Sequence, residues 1–240
     1  MNVKFVISYD GSSYQGSQKQ PNGQTIENKL LKAFKRINID TKIILSGRTD
    51  KDVHATGQVF NCIIPLFWQD LEKLKIVLNR NLPSSIKIRY ARKVNDDFHS
   101  RFHAKKRVYR YLITTKETNP FNDKYITYVQ NINEDLIKEA IKEFIGTFDF
   151  KYFHKVGSDK DITIREIFDT CFYKYKDIYV FKFIANSYLR SQIRLMVGFL
   201  LKISDGKLSI DDLRAQLLMQ KHSSKFPALA NGLYLAKVTY

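Results

Sequence analysis

A chain of 240 residues that is 44% apolar and 27% charged can bury a sizeable core, which excludes wholesale disorder and fits one large domain or two small ones. Lysine and arginine outnumber aspartate and glutamate by 40 to 24, a net charge of +16 that no basic tail explains: residues 1–103 hold 17 basic and 9 acidic residues, residues 104–240 hold 23 and 15. A cationic folded body suits a broad polyanion such as RNA, and the lack of any window near 18 uninterrupted apolar residues argues against a membrane-spanning helix.

Residues 3–9 alternate as a first strand, stopped by the turn signal Asp10-Gly11-Ser12-Ser13. The chain opens on this strand without a charged-then-apolar leader, so a cytoplasmic protein is expected. Thr25 is placed to cap a helix on which Ile26, Leu30, Phe34 and Ile37 share one face. Two short apolar runs, 43–45 and 59–64, read as strands, and the polar stretch 46–58 between them reads as a loop. That loop is either a solvated turn in which Gly47 and Gly57 supply unusual backbone angles, or a carrier of catalytic side chains on two buried strands. Cys62 and Cys171 are too few and too far apart for a zinc cluster or a disulfide framework, so buried free thiols are expected.

A second helix is expected over 68–78, then strands at 86–90 and 108–113. Arg101, Lys105, Lys106, Arg107 and Arg110 surround Phe102, His103, Tyr109 and Tyr111. Such a mixture of cations and flat rings is what splayed RNA requires, and equally what an edge strand guarded by lysines would carry. Residues 114–130, with Pro120 and few apolar runs, read as a surface excursion. Asn133 caps a third helix bearing Leu136, Ala140, Ile141 and Phe144 and closed by Gly146. Strands at 162–175 and 178–185 turn at Lys176-Asp177. A helix over 188–203 buries Leu189, Ile193, Met196, Val197 and Leu200, with Arg190 and Arg194 one turn apart on its border; a helix at 210–219 and a strand at 233–240 close the chain. Successive halves of mixed strands and helices make an α+β class, divided into residues 1–103 and 104–240.

Gly47-Arg48-Thr49-Asp50, continued by Val53-His54-Ala55, resembles the signature of the TruA family of tRNA pseudouridine synthases. Asn81-Leu82-Pro83, Asp97-Phe98-His99-Ser100-Arg101-Phe102, Tyr109-Arg110-Tyr111, Arg194-x-Met196-Val197-Gly198 and Gly232-Leu233-Tyr234-Leu235 follow in the family's order, so the resemblance covers nearly the whole chain. It implies the pseudouridine synthase fold: two related α/β subdomains with largely antiparallel sheets and a basic cleft between them. The first would carry the catalytic aspartate loop, the second a stacking tyrosine and the helix of its arginine partner. It also implies a homodimer that isomerises uridine in the anticodon stem-loop of tRNA, at about positions 38, 39 and 40.

Isomerising uridine breaks the N1–C1′ bond, turns the base and rejoins it through C5, so no cofactor and no metal is called for; a nucleophilic carboxylate suffices. The resemblance makes Asp50 that nucleophile and Arg194 its partner, because an ionised carboxylate in a closed pocket needs one. It makes Tyr109 the ring that stacks on the flipped uracil and Arg48 a wedge or phosphate clamp. His54 is expected to order the loop by hydrogen bonds, and Arg190 to meet RNA. Arg110 counts as a substrate contact, although alternation turns it away from the face of Tyr109. Serine stands at 17 where the family commonly has tryptophan, and Lys51-Asp52 where many members have small residues; the Asp52 side chain is expected to point away from the pocket. Two other readings compete. One is a non-catalytic RNA-binding module displaying aromatics on a sheet. The other is a nuclease with Asp50, Asp52 and His54 as metal ligands on one strand face.

Overall fold

The computed structural model describes residues 1–21, 23–155 and 162–240. In chain order come β1 (Asn2–Tyr9), α1 (Ile26–Lys35), β2 (Ile44–Leu45), β3 (His54–Ile63), α2 (Leu71–Asn81), β4 (Ile86–Lys93), β5 (Lys106–Thr114), β6 (Thr127–Tyr128), α3 (Glu134–Ala140), β7 (Gly146–Asp149), β8 (Ile164–Tyr175), β9 (Ile178–Ala185), α4 (Gln192–Ser204), α5 (Ile210–Leu217) and β10 (Leu233–Thr239). This is an α+β chain with largely antiparallel strand pairing. It divides into two compact units, Met1–Lys105 with Tyr234–Tyr240, and Lys106–Leu233. Among the described residues no helix is long and apolar enough to cross a membrane.

In the first unit the strands run β4-β1-β3-β10, with β2 paired on β3. β1 lies antiparallel to both β3 and β4, whereas β10 joins β3 in parallel through Tyr234–His54 and Leu235–Ala55. Alternation buries Val3, Phe5, Ile7 and Tyr9 on one face of β1. There Phe5 stacks on Phe60 at 4.8 Å and meets Phe34 of α1 edge-on at 5.8 Å. Thr25 caps α1 by accepting from the Asn28 N–H at 3.2 Å. The helix stops at Lys35, so Ile37 lies beyond it and Ile39 fills the core instead. α2 starts at Leu71 rather than 68 because Asp70 Oδ1 accepts from the Lys73 N–H at 2.9 Å, a cap that nothing earlier supplies.

The larger correction is at β3, which begins at His54, so residues 54–58 are strand and not loop. Thr56 is exposed, but the polar side chains of His54 and Gln58 are buried and internally paired. Gln58 Oε1 accepts from Ser46 Oγ at 2.6 Å and from the Val59 N–H at 3.1 Å, and its Nε2 donates to Gly47 O at 2.9 Å. Gly57 is in the strand for close approach: a Cβ there would stand 2.3 Å from Ala236 O of β10.

In the second unit the order is β5-β9-β8-β7, with β6 parallel to β5. Phe181 and Phe183 of β9 share a core with Phe144, Phe153 and Phe199. Lys176, at φ 54°, begins the expected turn between β8 and β9. α3 passes into a 3-10 turn over Ile141–Phe144, and Gly146, at φ 127°, opens the unforeseen strand β7 instead of closing the helix. The excursion after β5 contains a 3-10 turn, Asp123–Tyr125, and the short β6. α4 begins four residues later than the apolar spacing suggests, because Ser191 takes φ 59° and cannot lie inside a right-handed helix. Ser209 and Asp212 cap α5 reciprocally.

Candidate active site

In the first unit the turn between β2 and β3 presents Arg48 exposed and Asp50 half-buried. The residue before Asp50 is held at every polar atom. The Thr49 N–H donates to Ser17 Oγ at 2.8 Å, Thr49 O accepts from the Ser17 N–H at 3.1 Å, and Thr49 Oγ1 shares a hydrogen bond with the Tyr9 hydroxyl at 2.8 Å. Ser17 is fully buried, and Gly16 beside it sits at φ 104°, where a Cβ would stand 2.8 Å from Thr49 O. Burial pushes the Tyr9 hydroxyl up to about 12, so it stays protonated at neutral pH. On the far side the Val53 N–H closes the turn on Asp50 O at 3.3 Å, with Asp52 at φ 63°. The backbone at Asp50 is thereby held from both sides, by Thr49 before it and by Val53 after it.

His54 is 1% exposed and its observed partners are protein groups. Nδ1 accepts from the Gly11 N–H at 3.0 Å, which places the ring proton on Nε2, and the ring stacks on Tyr234 at 4.8 Å. Asp10 Oδ1 accepts from Ser12 N and Oγ within the turn after β1, and the Gly11 bond to His54 ties that turn to the start of β3. The metal reading does not survive this arrangement. Asp50 and Asp52 sit in a turn and only His54 in the strand, so the three do not line one strand face.

In the second unit Tyr109 lies on the buried side of β5 with Arg107 and Tyr111, whereas Arg110 is exposed on the other side, opposite Lys182 of β9. Tyr109 meets Tyr188 edge-to-face, ring centroids 5.2 Å apart at 82°. Arg107 Nη1 donates to Asn186 O at 2.6 Å and so anchors the segment between β9 and α4. Arg194 sits half-buried on α4, its Nε donating to Ala228 O at 2.8 Å while its own carbonyl accepts from the Ala228 N–H at 2.8 Å. Arg190, just before the helix, is exposed.

Tyr9, Ser17, Gln58 and Tyr188 were not singled out for the site from sequence. Ser17 carried one signal, its departure from the family's usual residue; the others look like ordinary strand or loop residues.

Residues 5–103 and 140–240 match the family model described as tRNA pseudouridine synthase. The tRNA pseudouridine synthase A of Campylobacter jejuni strain 81-176 is 38% identical over 240 residues, covering 100% of both chains. That of Helicobacter hepaticus is 39% identical, covering 99% of this chain and 98% of its own, and that of Streptococcus agalactiae 37%, covering 99% and 94%. Among solved structures a Cbf5-Nop10-Gar1 complex aligns over 82% of this chain and 44% of that one at 14% identity, with a TM-score of 0.39, a likeness too weak to carry weight.

Proposed function

This chain belongs to the tRNA pseudouridine synthase family and isomerises uridine in tRNA; on that premise we propose that Asp50 is its nucleophile and the anticodon stem-loop, at about positions 38 to 40, its target. The observation that carries the reading is the fixation of Thr49 through its N–H, carbonyl and hydroxyl, which holds the backbone that carries Asp50 without help from substrate. The Asp50 carboxylate bonds to the nucleotide as the N1–C1′ bond breaks. The base turns, C5 bonds to C1′, the C5 proton leaves, N1 gains one, and the carboxylate is released. Atoms and electrons balance within the nucleotide.

The uridine is extruded from the stem before attack, and Tyr109 stacks on it. Arg48, exposed beside the nucleophile, clamps the flipped nucleotide at its phosphate, and Arg110 and Arg190 meet backbone rather than base. The family resemblance assigns to Arg194 the electrostatic support of the ionised nucleophile; its Nε bond to Ala228 O fixes that guanidinium. His54 orders the loop that carries Asp50. The protein works in the cytoplasm as a homodimer.

A site-resolved pseudouridine map of an unmodified tRNA transcript, with wild type and Asp50→Asn side by side, tests this. The expected outcome is pseudouridine confined to the anticodon arm with wild type and none with the variant, tRNA binding being retained in both. Substantial product from Asp50→Asn would remove the nucleophile assignment, and product elsewhere in the tRNA would remove the target.

A further inference from the structure

Tyr188 presents a hydroxyl that the assignments above leave unused. Its oxygen is buried and has no hydrogen-bond partner among the described residues, while its ring packs edge-to-face on Tyr109 at 5.2 Å. A buried hydroxyl without a partner is destabilising, and a phenyl ring would fill the same space without that cost. The backbone on both sides is meanwhile held at several points. The Asn186 N–H donates to Glu166 O at 3.1 Å, Asn186 O accepts from Arg107, the Leu189 N–H donates to Gln192 Oε1 at 2.8 Å, and Arg190 O accepts from the Lys155 N–H at 3.1 Å. A side chain anchored on a segment this constrained, with only its polar tip unmatched, is built to meet a ligand.

We propose that the Tyr188 hydroxyl is a substrate contact, donating a hydrogen bond to a carbonyl oxygen of the uracil that stacks on Tyr109. The inference rests on the reading of Tyr109 as the stacking ring. Uracil chemistry makes the assignment specific. Turning the base about its N3–C6 axis exchanges N1 with C5, and in the same movement exchanges O2 with O4. A donor placed on one carbonyl therefore meets the other after the turn, and holds the base in both the starting and the rearranged orientation. Burial and the neighbouring Tyr109 raise the hydroxyl well above its ordinary value against a smaller opposing effect of Arg107, so the group remains a donor throughout the neutral range.

The test is Tyr188→Phe, measured for kcat, for tRNA affinity and for thermal stability, with Tyr109→Ala in parallel. Losing one hydrogen bond to a base already extruded should lower kcat roughly tenfold, with tRNA affinity, which phosphate contacts dominate, unchanged. The melting temperature should hold or rise, because the variant removes an unmatched buried group. Wild-type kcat in Tyr188→Phe, while Tyr109→Ala is inactive, overturns this inference and leaves the stacking role intact. A lowered melting temperature accompanying the loss of kcat makes the hydroxyl structural and also overturns it. Full activity in Tyr109→Ala removes the stacking role, and the Tyr188 contact with it.

Discussion

At the scale of single residues, the backbone that carries the candidate nucleophile is held by its neighbour Thr49. Thr49 is held through three polar atoms, two of them engaged by Ser17. Ser17→Ala leaves the buried Thr49 N–H without an acceptor, an expected loss of about 1–3 kcal/mol. That corresponds to a melting temperature lower by roughly 2–10 °C for a chain of this length, with a slower product-forming step at saturating tRNA. An unchanged melting temperature and rate in calorimetry and single-turnover assays would show that Tyr9 alone holds the loop. Asp50 stands out as the candidate in the sequence because a contiguous run, Gly47 to Asp50, carries it. The support does not, because Ser17 lies 32 positions away and no local pattern reports a bond of that span.

At the scale of elements, apolar spacing located α1 and both long strands of the second unit, where one face is buried and the other wet. It failed where a polar residue is buried with partners. Gln58 and His54 looked like loop, yet both are buried residues of β3 with their side chains engaged by Ser46, Gly47, Val59 and Gly11. It failed again at α4, whose start is set by the left-handed Ser191 rather than by Leu189, which is buried just before the helix. Gly57 tests the strand assignment directly. Gly57→Ala puts a methyl 2.3 Å from Ala236 O, so β10 must shift from β3 or the strand must bend. We expect a destabilisation of about 1–3 kcal/mol in urea unfolding, as for overpacking of an interior. A neutral result would mean that the polar stretch has the freedom of a loop after all.

At the scale of the whole molecule, charge and buried protons pull stability in opposite directions as pH rises. Net charge is +16 at neutral pH and the pI is near 9.7, so self-repulsion weakens between these points and, alone, would stabilise the fold. Tyr9 and Cys62 in the first unit and Tyr111 in the second are each pushed up to about 12, burial being the largest cause in all three. Unfolded, the thiol releases its proton near 9 and the phenols near 10, while the native state keeps all three until about 12. The native state therefore binds more protons above pH 9, and its stability is complete below that value and falls as pH climbs through 12. Each group steepens the fall by about 1.4 kcal/mol per pH unit between its unfolded and native values. Tyr9→Phe and Tyr111→Phe each lose a hydrogen bond, to Thr49 and to Thr127 with Leu229 O, so both start from a lower stability at pH 8. Their slopes from pH 10 to 12 should nevertheless be shallower than that of wild type, each by one group's share. Equal slopes in all three proteins would place the alkaline loss in the lysines, and with it the stability of the folded body in its surface charge rather than in its sealed hydroxyls.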